Sequence, residues 1–145
     1  MNNASSDFSS SELGPLQQWE QYAYKHPSLD KAFKGKKFIK DPLGLTGMEI
    51  SVNSLAAFQA VPFAHRHTHN EEVYLFIDGE GEFLAGQTSI KIQPGTVVRL
   101  APEVERSWRN TSKQPMHYLV IQARANSMSS SEIADGIALP GNPWR

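Results

Sequence analysis

The pattern of apolar and polar positions divides the chain into a patterned middle and two less regular ends. From Gly47 onward, apolar residues alternate with polar ones or gather in short runs between turn residues, the texture of β-strands. MEISVNSL alternates and predicts a strand over residues 48–55. EVYLFI, rich in β-branched and aromatic side chains, predicts another over 72–77, closed by Asp78-Gly79. GEFLA and TSIKI flank Gly86-Gln87 as a short hairpin. TVVRL (96–100) stops at Ala101-Pro102; SWRN and MHYLVIQ follow, parted by the turn-like TSKQP. About eight short strands, with turns every ~6–12 residues, predict an all-β sandwich or barrel. The crossover helices of a parallel α/β fold have no room between them.

The ends read differently. The first dozen residues are Ser- and Asn-rich and predicted to be disordered. Pro15 then opens a short helix carrying Leu16, Trp19 and Ala23, Pro27 stops it, and Ser28 caps a second one through Phe33. This arm is expected to pack on the body through Trp19 and Phe33. Lys31, Lys34, Lys36, Lys37 and Lys40 form a basic run read as a solvated face. The tail carries Ile133, Ile137, Leu139 and Trp144, expected to cover an open sheet edge of its own subunit or a neighbour's. The expected organisation is an arm over 1–35, a β-domain over 36–125 and a tail over 126–145.

Composition narrows the chemistry. With 145 residues there is enough chain for one domain. Fourteen basic against 15 acidic residues argues against a nucleic-acid surface. Without cysteine, disulfides, thiolate metal sites and thiol catalysis are excluded. No apolar run spans a membrane and the start lacks the order of a secretion signal, so a cytoplasmic protein is expected.

Three of five histidines fall at 65, 67 and 69. On extended chain, residues i and i+2 face the same side, some 6–7 Å apart, so His65 and His67 can share one metal ion. Glu72 opens the next strand and shares a face with Tyr74 and Phe76. Two imidazoles and a carboxylate form a facial ligand set that leaves positions open for substrate or oxygen. The competing reading is a solvated polar turn with incidental histidines.

His65-x-His67-x4-Glu72-x6-Gly79 resembles the first motif of the cupins, although Gln59 stands where a glycine often precedes it. The second motif is eroded. Gly95 and Asn110 match its ends, but Ala101 replaces its proline, Glu103 its glycine and Arg106 its histidine, normally the fourth ligand. The resemblance spans roughly residues 45–123. It implies a cupin jelly-roll barrel, commonly a homodimer. It further implies Fe, Mn, Zn or Ni on His65, His67 and Glu72, with a small-molecule ligand. Oxygenase and isomerase chemistry lead among the reactions implied, with a non-catalytic sugar or carboxylate binder as the alternative.

A guanidinium has no lone pair for a metal. Arg106 could therefore turn aside and grip an anionic substrate, pair with Glu72 in a metal-free barrel, or leave the fourth place to His117. His69 is a nearby spare, and His117 is read first as a satisfied core or surface residue. Tyr74 offers a hydroxyl for proton donation. Trp108 and Phe76 are expected to line the substrate pocket beside Arg106, or simply to fill the core; Asn53 and Gln122 could add hydrogen bonds.

Overall fold

The computed structural model describes residues 2–4, 7–28, 30–129 and 135–144. In chain order its elements are β1 (Asn2–Ala4), β2 (Ser9–Ser11), a 3-10 helix (Leu16–Gln21), β3 (Ala23–Lys25), β4 (Ala32–Lys34), β5 (Lys36–Phe38) and α1 (Lys40–Leu43). There follow β6 (Glu49–Leu55), β7 (Asn70–Asp78), β8 (Gly81–Ala85), β9 (Thr88–Ile92), β10 (Val97–Leu100), β11 (Arg106–Asn110) and β12 (Met116–Arg124). Every strand predicted from Gly47 onward is present, within a residue or two at its ends.

Two antiparallel sheets make the barrel, one ordered β10-β7-β12-β6-β5 and the other β11-β8-β9. The period-two pattern sets which side chains meet inside. Across the larger sheet, register aligns three inward rows: Leu100-Glu72-Gln122-Glu49, then Val98-Tyr74-Val120-Ser51-Phe38, then Phe76-Tyr118-Asn53-Lys36. The facing sheet contributes Phe83, Ile92 and Trp108, all buried. Phe83 stacks on Trp108 with centroids 5.7 Å apart, and the Trp108 indole donates to the Tyr118 hydroxyl at 2.9 Å. Each fully buried Phe contributes roughly 1.5–3 kcal/mol. One end of the interior is thus aromatic and closed, while the other carries Glu72, Gln122 and Glu49.

β7 and β8 join through Gly79, whose φ of +88° lies in the left-handed region. The register between β7 and β12 slips at His117/Tyr118. This bulge brings His117 to Asp78, whose carboxylate accepts from the His117 amide at 2.7 Å and lies 2.8 Å from Nδ1.

The ends differ from expectation. β1 and β2 form a small ladder, and the Ser9 hydroxyl donates to the Leu43 carbonyl at 2.7 Å. Polar composition did not prevent pairing, because a ladder uses backbone groups that every residue carries. The first predicted helix is one 3-10 segment. Its N-cap, Pro15, has no side-chain hydrogen bond, and so short a helix is marginal without packing. Trp19 supplies that packing, 6% exposed and edge-on to His117 at 6.1 Å. The second predicted helix is instead strand β4, paired with β3 through Tyr24↔Phe33. AYK and AFK alternate, and the period of two prevailed over the caps. Phe33 packs on Phe63 at 5.8 Å. In the tail, Ile137, Leu139 and Trp144 are 84%, 82% and 92% exposed, so they cover no edge of their own subunit. Ile133 lies outside the described residues.

A Cβ at Gly79 would stand 2.8 Å from the Met116 Cβ, on backbone that L-residues rarely adopt. Gly79→Ala is expected to cost about 2–4 kcal/mol, combining backbone strain with overpacking. Urea denaturation measures it; a loss under about 1 kcal/mol contradicts the close approach.

Candidate metal centre

The segment between β6 and β7 runs beside β11 as an incomplete strand. Val61 N donates to Trp108 O at 3.0 Å, His65 and Arg106 exchange backbone hydrogen bonds at 3.1 and 3.0 Å, and His67 N donates to Pro102 O at 2.8 Å. This extended path gives residues 65 and 67 a common side, as their spacing predicts. Their ring centroids lie 5.2 Å apart at 79°. One nitrogen from each histidine and one oxygen of Glu72 all lie within 4.8 Å of one another. The histidine side chains are 30% and 24% exposed and that of Glu72 is 4% exposed, so the group looks out from the polar end of the barrel.

The two Glu72 oxygens have different duties. Oε1 accepts from Arg106 Nη1 at 2.9 Å and from the Tyr74 hydroxyl at 2.8 Å, with His65 Nε2 at 3.5 Å. Oε2 lies 3.2 Å from His67 Nε2. That nitrogen makes no hydrogen bond despite the short distance, and His65 Nδ1 is likewise buried and unpartnered. An orphaned buried polar atom costs about 1–3 kcal/mol. Lone pairs converging on a carboxylate oxygen are what a divalent cation satisfies, and this donor set fits Fe, Mn, Zn or Ni.

Burial pushes the Glu72 carboxyl upward, but the close His65 and His67 imidazoles and the Tyr74 hydrogen bond outweigh it and hold the group well below the usual carboxylate range. Burial, joined by the Glu72 charge, raises the Tyr74 phenol far above its ordinary value. Tyr74 therefore keeps its proton and spends it on Glu72. It orients the carboxylate rather than standing free as the proton donor expected from sequence.

Arg106 corrects a further expectation. Its side chain is fully buried. Besides Glu72, Nε donates to Val104 O at 3.0 Å, and Nη2 reaches the carbonyls of Ala101, Pro102 and Val104 at 3.0, 2.9 and 2.7 Å. A guanidinium so enclosed offers a substrate no face. The pairing with Glu72 foreseen for a metal-free barrel is the contact observed. It also ties the turn between β10 and β11 to the ligand group, the arrangement by which outer contacts hold a metal-binding carboxylate in place.

Other expected residues fall away from the opening. Phe76 is fully buried in the aromatic end. Trp108 is 7% exposed and meets His65 only at 6.1 Å between centroids, so it is mainly core. His69 is exposed, outside the group, and its carbonyl accepts from Ala125 N at 3.0 Å. His117 pairs with Asp78 at the far end of β7, six residues from Glu72 and thus about 20 Å away, so it cannot complete the shell. A recess lined by Glu20, Asp78 and His117 opens at that opposite end, apart from the ligand group. Asn53 is buried and inward; Gln122 Oε1 accepts from Asn70 Nδ2 at 3.0 Å.

Lys36 was read with the solvated basic run, yet it lies on the inward row of β5, its Nζ 3.1 Å from Ser51 Oγ and 3.0 Å from Asn53 Oδ1. Burial pushes its ammonium down to about 8, against the pull of Glu72 and Glu49. The alternation Lys36-Lys37-Phe38, with Phe38 apolar, was the one available sign that residues 36 and 38 share a face.

Comparison with known proteins agrees with this architecture. The family described as Cupin domain matches residues 56–122. A crystal structure of a cupin protein from Bacteroides fragilis is 33% identical, with a TM-score of 0.68, covering 81% of this chain and 98% of that one. A conserved protein with a double-stranded β-helix domain from Klebsiella pneumoniae, 17% identical, has a TM-score of 0.60 over 82% of this chain and 95% of that one. A DMSP lyase from Ruegeria pomeroyi is 22% identical, with a TM-score of 0.54 over 65% and 48% of the two chains, and shares the fold. No curated protein sequence matches the chain.

Removing one partner of a buried ion pair strands the other. Arg106→Met is expected to cost about 3–5 kcal/mol, and Arg106→Met combined with Glu72→Gln to recover part of that loss. Chemical denaturation of both variants checks it; a single variant within about 1 kcal/mol of the parent would show that Arg106 does not organise this end.

Proposed function

The chain belongs to the cupin family, and from that premise we propose that its barrel holds one divalent metal ion on His65, His67 and Glu72 and presents it to a small anionic metabolite. The observation that carries this reading is the convergence of unpartnered imidazole nitrogen on the free oxygen of Glu72. Three protein ligands leave coordination positions open, which both oxygenase-type and isomerase-type chemistry require. The ion when bound would supply Lewis acidity or, as iron or manganese, oxygen activation. The chain's own part is positional. Arg106 and Tyr74 occupy one Glu72 oxygen and leave the other to His67. The neighbouring imidazoles and the Tyr74 hydrogen bond keep the carboxylate ionised, as a metal ligand must be.

One observation favours a second reading. The Arg106–Glu72 pair already satisfies the carboxylate's charge without an ion. A metal-free cupin that binds a sugar or carboxylate without turnover is consistent with that pair, and it leaves the orphaned His67 nitrogen unexplained.

Protein purified without a nickel column is expected to carry about one Fe, Mn, Zn or Ni ion per chain by plasma mass spectrometry, and His67→Ala to lose most of it. Sub-stoichiometric metal unchanged by His67→Ala supports the metal-free binder instead. Full occupancy without turnover across a panel of small acids keeps the metal and removes the catalysis.

A further inference from the structure

The bulge at His117/Tyr118 fixes a histidine at the pole opposite the metal ligands and leaves one of its nitrogens unused. The His117 side chain is 6% exposed, and Nδ1 lies 2.8 and 2.9 Å from the two oxygens of Asp78. A neutral ring so placed keeps its hydrogen on Nδ1 for the carboxylate and carries a lone pair at Nε2, on the side turned from Asp78. Among the described residues nothing hydrogen-bonds that nitrogen. Nor is it sealed in, because the buried unpartnered side-chain atoms among those residues belong to His65 and His67. It opens on the recess that His117 lines. This recess measures about 630 Å³, within the roughly 300–1,000 Å³ of small-molecule sites. Its charge is one-sided. Glu20 comes from the 3-10 helix, Asp78 from the end of β7 and Glu80 from the turn that follows, and no lysine or arginine lines it. Glu20 and Glu80 form no ion pair among the described residues, although Lys34 lines an adjoining recess that shares Glu20.

We propose that this recess binds a small organic cation through a primary ammonium group, which donates to His117 Nε2 and is neutralised by Glu20 and Glu80. An ammonium brings three N–H donors and one positive charge; the recess offers a lone pair and carboxylates without a counter-charge. Desolvating such a cation is favourable only where acceptors and negative charge meet it together, and here both line one wall-to-wall space. A divalent metal ion suits the recess less well. Among the described residues the one convergent set of three metal-binding groups is His65, His67 and Glu72, so His117 and the glutamates form no second set. Asp78 acts through His117, holding the ring so that Nε2 faces the ligand. The site is separate from the metal centre and holds whether or not that centre takes up an ion.

The test titrates butylamine and butane-1,4-diamine into the full chain at fixed pH, with butane-1,4-diol as neutral match and magnesium chloride at equal ionic strength. Histidine ring nitrogens are followed by nuclear magnetic resonance, His117 being assigned by elimination from single substitutions of the other four histidines. The His117 Nε2 signal should move with both amines while those of His65 and His67 stay in place, and the diol and magnesium should move none of them. By calorimetry Glu20→Gln and Glu80→Gln, both at exposed positions, should each weaken butylamine about two- to fivefold, the scale of an exposed charge pair, with metal content unchanged. No His117 shift with either amine, a shift that the diol reproduces, or affinity unchanged in both glutamine variants overturns the proposal. Displacement of the amines by magnesium beyond the effect of ionic strength assigns the recess to inorganic cations and overturns it as well.

Discussion

A fully buried ion pair governs this end of the barrel. Arg106 and Glu72 come from strands in opposite sheets, and their contact joins them where the interior is polar. Two charges taken out of water are stable only if their remaining hydrogen-bonding groups are met. Here three backbone carbonyls and a tyrosine hydroxyl meet them. The same residues set the backbone path of His65 through its bridge to Arg106. Ligand geometry and barrel closure therefore share one set of contacts.

Where the cupin motif has a histidine, this chain has an arginine, and its consequence is a change of role. A fourth ligand would approach an ion directly. Arg106 approaches the ligand instead, fixing one oxygen of Glu72 and lending the carboxylate a permanent counter-charge. Such a centre has three protein donors and a cation behind the third. The counter-charge leaves Glu72 firmly oriented.

Much of this was legible from residue order. The barrel strands followed from period-two alternation and turn residues, and HxH with Glu72 followed from the same period, because both imidazoles had to share a side. What the sequence could not carry was burial across sheets. Nothing in SWRN says that the arginine before it turns inward and spends its donors on carbonyls of its own turn. Phe76 and Glu72 share a face, yet lie at opposite ends of one strand, so facing alone misplaced Phe76 in the pocket. Lys36 was hidden by four lysine neighbours whose charge suggested solvent. The hairpin β3–β4 was missed because helix punctuation, Pro27 and Ser28, was weighted above two short alternating triplets.

The slab formed by Phe83, Trp108, Tyr118 and Phe76 lies between Glu72 and the bulge that joins Asp78 to His117. It acts as a bulkhead. The polar side chains that pass it are those of Ser51, Asn53 and Lys36, hydrogen-bonded along β5 and β6. The two poles therefore communicate along one flank of the barrel rather than through its centre.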